Sequence, residues 1–192
     1  MNKYNQEYKA KLKQFNSTEK YKNELCFLGK LMLCRKGEKV LDYGCGLGTA
    51  VNYIREEYDA DCFGYDVVNY REVDDVSLYR SQYFFKFNKV FFLHSIAHVP
   101  EIDRKLYDLK ELLLPEAKIY VITPNKLWIE HINTPEYKPD LTVINHFYPI
   151  ELEELFKNAG FKIITSGQFG QRTGNVNERL FLEAQIWFMS FC

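Results

Sequence analysis

Apolar and polar positions change rhythm along this chain. From Tyr4 to Leu33 they are mixed, and the spacing of Leu25, Phe27, Leu28, Leu31 and Met32 makes a buried stripe, so this stretch predicts one or two amphipathic helices. From Lys39 onward, short apolar runs alternate with helical ones. Lys39–Tyr43 reads as a strand ending in a glycine turn, and Thr49–Tyr58 as a helix with Ala50, Val51, Ile54 and Tyr58 on one side. Asp61–Asp66 reads as a second strand and Val90–Leu93 as a core strand rich in β-formers. Ile102–Leu114 predicts a helix with Ile102, Leu106, Leu109 and Leu113 at helical spacing, stopped by Pro115. Lys118–Thr123 is a strand ended by Pro124. Ile150–Ala159 is a helix with Pro149 near its start and Gly160 just past its end. Phe161–Thr165 is a strand, followed by a loop bearing Gly167, Gly170 and Gly174, and Leu180–Phe188 is a last strand.

Strands alternating with helices predict an α/β fold with a mostly parallel sheet covered on both faces. The last two strands have no helix between them and are expected to pair antiparallel at the sheet edge. A length of 192 residues fits one domain, and a hydrophobic share of 46 % is enough to fill its core. No repeat or low-complexity segment interrupts it. The longest apolar stretch, Val90–Val99, falls well short of the ~20 residues that span a bilayer and contains His94 and His98. The N-terminus is polar and reads as no signal peptide. The five cysteines form no CxxC pair, so neither a zinc site nor a disulfide framework is expected, and the reading is of a reduced, cytoplasmic protein.

Charge alters this picture in one place. The 25 basic and 26 acidic residues nearly cancel, which argues against a general nucleic-acid binder. Yet from Met1 to Val40 basic residues outnumber acidic ones ten to four. A solvated helix face accounts for that; attraction of an anionic substrate is the alternative.

The chemistry concentrates at Val40-Leu41-Asp42-Tyr43-Gly44-Cys45-Gly46-Leu47-Gly48. An apolar strand, a Gly-x-Gly-x-Gly turn and a helix follow one another. Glycines permit the tight turn and let a ligand lie against bare backbone. The helix N-terminus adds free N–H groups. A nicotinamide dehydrogenase is the rival reading of such a loop. Against it, Asp42 puts a charge two residues before Gly44, and the place of the dehydrogenase's third glycine is Thr49. An acid at Asp42 also suits the ammonium end of an amino-acid-like cofactor, such as the methionine part of S-adenosylmethionine. Asp66 closes the second strand, about 20 residues past the loop, where an acid accepts hydrogen bonds from ribose hydroxyls.

With these motifs on the page, Asp42 to Gly48 and then Asp66 resemble the first two motifs of class I S-adenosylmethionine-dependent methyltransferases. Phe87 to Pro100 is similar to that family's fourth-strand segment, and Ile119 to Asn125 to its strand ending in Pro-Asn. Asn145-His146-Phe147, with Leu152, Leu155, Ala159, Gly160 and Phe161, looks like its closing helix–strand unit. The likeness runs from about Gly37 to Phe188 and is nearest to the small-metabolite branch that includes quinone-biosynthesis and sugar methyltransferases. It implies a single domain over 1–192, with a helical cap at 1–36 lying over the cleft of a seven-strand-like Rossmann core at 37–192. It implies S-adenosyl-L-methionine as cofactor, with Asp42, Gly44, Cys45, Gly46, Gly48, Asp66, Val67, Asp75, His94 and Ser95 as its contacts. Asp75 is the candidate for the adenine amino group; Tyr79 or Phe84 are alternatives that would cover the ring.

Methyl transfer is an in-line displacement from an activated sulfonium, so positioning carries much of the catalysis. A hydroxyl acceptor gains from a base, and His is the usual one. His94 and His146 are the catalytic candidates. His98 matches a His of the family pattern, with a structural role at a helix start as its alternative. His131 lies in the loop Asn125–Ile144, expected to be an acceptor lid, and reads as exposed.

The sequence also departs from the family pattern. Asn88 stands where the family often has Asp, Ala97 where it often has Glu, and the chain between Asp66 and Val90 is short, so the sheet edge there should be abbreviated. These departures motivate an alternative function, a non-catalytic cofactor-binding regulatory or scaffold protein. A protein or RNA methyltransferase rests only on the basic N-terminus. No Asn-Pro-Pro-Tyr or Asp-Pro-Pro-Tyr motif follows the fourth strand, no cysteine follows a proline, and no aromatic-plus-basic strand suggests RNA readout. The expected function is therefore methylation of an O or N atom of a small-molecule acceptor. The sequence carries no sign of metal, membrane span, nucleic-acid partner or oligomeric state.

Overall fold

The computed structural model describes residues 6–68, 86–126, 140, 142–169 and 184–191. Its strands are β1 (Lys39–Tyr43), β2 (Asp61–Tyr65), β3 (Phe87–Leu93), β4 (Leu113–Pro124), β5 (Phe161–Phe169) and β6 (Ala184–Phe191). Its helices are α1 (Gln6–Asn16), α2 (Glu19–Met32), α3 (Thr49–Tyr58), α4 (Ile102–Lys110) and α5 (Pro149–Asn158). The six strands form one sheet in the order β2-β1-β3-β4-β6-β5. The first four are parallel, and β6 runs antiparallel between β4 and β5. This is the expected α/β sheet with a reversed last strand. Residues 69–85, where the abbreviated edge was expected, lie outside the described residues.

Two-residue alternation along the strands builds two cores. Leu41, Val90, Phe92, Ile119 and Val121 pack against Leu106 and Leu109 of α4 and Leu152 and Phe156 of α5. Val40, Phe91, Leu93, Tyr120 and Ile122 point the other way, against Leu25, Leu28 and Met32 of α2 and Val51 and Ile54 of α3. Each large side chain so buried contributes roughly 1.5–3 kcal/mol. The second helix starts where Thr18 accepts the Tyr21 N–H at 3.2 Å, an N-cap that satisfies one free donor. No residue of α1 is buried, so α1 lies on the surface as the outer part of the cap.

Three boundaries differ from expectation. The helix expected to reach Leu114 ends at Lys110, and Leu113 instead stands opposite Phe87 in the sheet. The apolar run Leu112–Leu114 suits either state, and burial of Leu113 in the core decides for strand. Pro115 and the positive φ of Glu116 are absorbed by a register shift between Phe87 and Lys89. Gly167 lies within β5 rather than in a loop, while Gly170 and Gly174 are outside the described residues. The last strand, described over Ala184–Phe191, runs past the expected end at Phe188, and residues 180–183 lie outside the described residues.

Candidate functional site

The sheet reverses its winding between β1 and β3, because β2 lies to one side of β1 and β4 to the far side of β3. Ligands of open α/β sheets bind at such a switch point, beyond the carboxyl ends of the strands. A cavity of about 770 Å³ opens there, bordered by Tyr43, Tyr65, Leu93 and Pro124 at the ends of the four parallel strands. Helix α1 contributes Leu12 and Phe15 to its far wall, and α2 contributes Tyr21. Both helices lie within residues 1–36.

The glycine loop is held from below. Gly44 and Cys45 both donate their N–H groups to the Tyr65 carbonyl, at 2.7 and 3.0 Å. Gly44, Gly46 and Gly48 have φ of 90°, 51° and 77°, the left-handed region that favours glycine. A side chain at Gly44 would also collide with Ser95, since a Cβ there would lie 2.3 Å from the Ser95 Cβ. Ser95 in turn donates its hydroxyl to the Tyr43 carbonyl and ties β3 to the loop. At Gly46 the space is open: a Cβ would meet only Leu12, at 3.6 Å. The loop thus presents bare backbone toward the cap.

Asp66 fastens the loop to the end of β2. Its Oδ2 accepts the Gly46 N–H at 2.8 Å and its Oδ1 the Val68 N–H at 3.0 Å. Burial pushes its carboxyl above the usual range, partly offset by the N–H groups of Val68, Gly46 and Val67 and by His98. Asp42 lies deeper. It is 2 % exposed, does not border the cavity, and among the described residues its Oδ1 has no hydrogen-bond partner. Burial, then the charge of Asp66, holds its carboxyl well above the ordinary carboxylate value. The Cys45 thiol is likewise raised by burial, then by Asp42 and Asp66.

Of the residues singled out in the sequence, Gly44, Cys45, Gly46, Asp66, Val67, His94, Ser95 and His146 border this one cavity. Asp42 and Gly48 do not; Gly48 serves as the N-cap of α3. Asp75, Tyr79, Phe84 and His131 lie outside the described residues. His98 also faces the cavity, with its Nδ1 2.9 Å from the Thr142 hydroxyl. That hydroxyl donates to Asp140 at 2.7 Å, so it receives the proton of His98 Nδ1. The structural role at a helix start thus has a partner. His146 is exposed on the rim.

Four features escaped the sequence reading. Glu24 of α2 is 5 % exposed, and its Oε2 lies 2.6 Å from His94 Nε2. Phe15 meets the same imidazole edge-on, with ring centroids 5.5 Å apart. Tyr43 and Tyr65 stack obliquely at 5.0 Å beside the loop. Asn16 of α1 donates to the Thr49 hydroxyl at 2.9 Å, which binds the cap to the start of α3. Only the apolar stripe of α2 hinted at any of these. The cavity wall also carries Lys11, Lys20 and Lys105, the cap lysines being part of the basic N-terminal excess.

Among the described residues, no cluster of His, Cys, Asp and Glu has the arrangement of a metal site. No described helix is long and apolar enough to cross a membrane. The family model described as Methyltransferase domain matches residues 4–166. No curated protein matches the sequence. Among solved structures, the chain is similar to a SAM-dependent methyltransferase from Aquifex aeolicus, at 15% identity and a TM-score of 0.70, with 96% of this chain and 98% of that one covered. It is also similar to magnesium protoporphyrin IX methyltransferase from Synechocystis PCC 6803 with bound SAH, at 14% identity and a TM-score of 0.63, covering 90% of this chain and 84% of that one. The [4+2]-cyclase SpnF gives a TM-score of 0.64 at 16% identity, covering 85% of this chain and 79% of that one. At these identities the likenesses establish the fold.

Proposed function

The chain belongs to the methyltransferase-domain family, and from that membership we propose that it carries a methyl group from S-adenosylmethionine to an oxygen or nitrogen atom of a small metabolite. The observation that carries this reading is one cavity of about 770 Å³ that joins the glycine loop, Asp66 and three histidines, His94, His98 and His146, under the cap. Pockets for small molecules span roughly 300–1,000 Å³, so this one has room for a cofactor and a modest acceptor.

The residues present fit the cofactor. Gly46 offers bare backbone, and the half-buried Asp66 retains acceptor capacity beyond its two N–H bonds, because a carboxylate has about four lone-pair sites. Asp66 would take the ribose hydroxyls, and Gly44, Cys45 and Ser95 would shape the wall. The orphaned Oδ1 and raised carboxyl of Asp42 fit an electrostatic role beneath the loop, toward the ammonium of the methionine end. When bound, the cofactor supplies a methyl group on a positively charged sulfur. The chain's own part is to hold the acceptor in line, exclude water and take up any proton released. His94 and His146 are the candidates for contacting the acceptor and taking up its proton, with α1, α2 and the segment before His146 enclosing the acceptor.

Of the three departures that motivated a non-catalytic scaffold, Asn88 and Ala97 lie among the described residues. The Asn88 side-chain oxygen accepts the Lys39 N–H at 2.9 Å, securing the start of β1 far from the cavity. The Ala97 carbonyl accepts the N–H groups of Ile144 and Asn145, both at 3.0 Å. The Ala97 bonds are backbone bonds that any residue there would make, and residues 69–85 of the short stretch after Asp66 lie outside the described residues. The reading also takes the protein as cytoplasmic, in keeping with the free thiols of Cys26, Cys34, Cys45 and Cys62.

The test is a thermal-shift titration with S-adenosylhomocysteine, with NAD and ATP as controls. At a hundred times its Kd a ligand stabilises by about 2.7 kcal/mol, which for a chain of this size raises Tm by about 5–10 °C. A rise with NAD alone overturns the proposal.

A further inference from the structure

We propose that Glu24 is a positioning residue that holds His94 with Nε2 protonated, so that the Nδ1 lone pair faces the cavity as the base for a hydroxyl acceptor. The inference rests on the methyl-transfer reading and deepens it by choosing oxygen over nitrogen. Three observations carry it. First, the carboxylate stands behind the imidazole rather than beside it. His94 borders the cavity, whereas Glu24 does not and is 5 % exposed. Their separation of 2.6 Å is that of a strong charge-assisted contact. A carboxylate acts only as acceptor, so Nε2 is the donor, and the neutral form of the ring then carries its lone pair on Nδ1. Among the described residues no group hydrogen-bonds Nδ1.

Second, the ring is fixed. Phe15 of α1 meets it edge-on, and His94 N–H is tied to the Ile122 carbonyl at 2.8 Å. Third, the backbone of His94 is left-handed, with φ of 59°, a conformation uncommon for residues other than glycine. Left-handed non-glycine residues gather at functional positions. The turn after β3 thus holds the imidazole at the mouth of the switch point, against a buried acid from the cap.

The arrangement suits a hydroxyl. A neutral amine attacks with its own lone pair and releases its proton later to water. A hydroxyl is a poor nucleophile until its proton is withdrawn, and there a positioned base helps by roughly 10²–10⁴-fold. The proton of the acceptor oxygen passes to His94 Nδ1, and the freed pair on oxygen forms the new C–O bond. The C–S pair returns to sulfur and cancels its positive charge. The released proton resides on the imidazole, whose new charge is balanced by Glu24, and then leaves to water.

The experiment uses the full chain, histidine-labelled with ¹⁵N and saturated with S-adenosylhomocysteine, and His94→Asn assigns the ring resonances. Long-range ¹H–¹⁵N correlation is expected to show Nε2 protonated and Nδ1 bare; a protonated Nδ1 in the neutral ring overturns the proposal. The same protein is then assayed with S-adenosylmethionine and matched probes, catechol and methyl glucoside against aniline and benzylamine. Methylation of a hydroxyl probe is expected, with kcat at least ~10-fold lower in Glu24→Gln at unchanged KM and melting temperature, and partial recovery of His94→Ala by added imidazole. Turnover of the amines alone, an indifferent Glu24→Gln, or silence of every hydroxyl probe in a protein that binds S-adenosylhomocysteine overturns the proposal and leaves cofactor binding standing. Failure to bind S-adenosylhomocysteine defeats the methyl-transfer reading itself.

Discussion

Replacing Asp66 by Asn separates two jobs that one carboxylate is asked to do. That carboxylate accepts the N–H groups of Gly46 and Val68 at 2.8 and 3.0 Å, one on each oxygen. With Asn, one of those donors faces an NH₂ group instead. Leaving a partly buried donor without its acceptor costs about 1–3 kcal/mol. At 2–4 °C per kcal/mol, the free protein should melt roughly 2–12 °C lower. The second job is the proposed grip on the ribose. Losing a charge-assisted hydrogen bond there costs about 1.5–3 kcal/mol, which weakens S-adenosylhomocysteine about 10- to 150-fold. Calorimetric titration reads the affinity, and a melt without ligand reads the stability. A lower melting temperature with an unchanged Kd would refute the ribose role and leave Asp66 as a loop fastener only.

Two further predictions concern the same loop. Gly44→Ala should destabilise far more than Gly37→Ala: both have positive φ, 90° and 73°, but only at Gly44 would the new Cβ strike a neighbour, Ser95 at 2.3 Å. The strain alone is about 1–2 kcal/mol, so equal drops in Tm would contradict the close approach of β3 to the loop. Asp42→Asn should change how stability depends on pH. The folded carboxyl is raised above 3.8, by burial first and then by Asp66, so the folded state keeps its proton to higher pH than the unfolded chain. Its contribution is then full below the unfolded value and lost as pH rises through the raised folded value. Urea unfolding should show that Asn removes this decline while leaving acid stability alike; parallel curves for the two proteins would refute it.

The elements with a strong local rhythm were legible in the sequence. Lys39–Tyr43 and Thr49–Tyr58 fall where expected because an apolar strand, a glycine turn and an amphipathic helix each carry their own signal. The Leu112–Leu114 run was not legible, since three apolar residues in a row satisfy a helix and a strand alike, and packing opposite Phe87 decides between them. The same division holds for the site. Gly44, Gly46 and Asp66 sit on one continuous βαβ unit, whose length in the chain returns Asp66 to the loop, 2.8 Å from the Gly46 N–H. Glu24 and His94 meet only because α2 folds over the end of β3, and no period in the sequence links them. Asn88 was misread in the opposite sense: a departure from a family pattern at a cleft strand turned out to serve the far end of that strand, at Lys39.

The placing of β6 has a consequence for how the chain assembles. Among the described residues β5 pairs with β6 alone, and β6 alone joins it to β4, with Lys118 opposite Ser190. During synthesis β5 and α5 emerge before the one strand that can attach β5 to the sheet. Until Ala184–Phe191 arrives and threads between two earlier strands, the open edge of β4 is an unpaired ladder of N–H and C=O groups. Such long-range pairing is slow to form and exposes apolar surface while it waits. A break in the chain before Ala184 would therefore remove two strands rather than one, and refolding of the intact chain should be limited by insertion of this late segment.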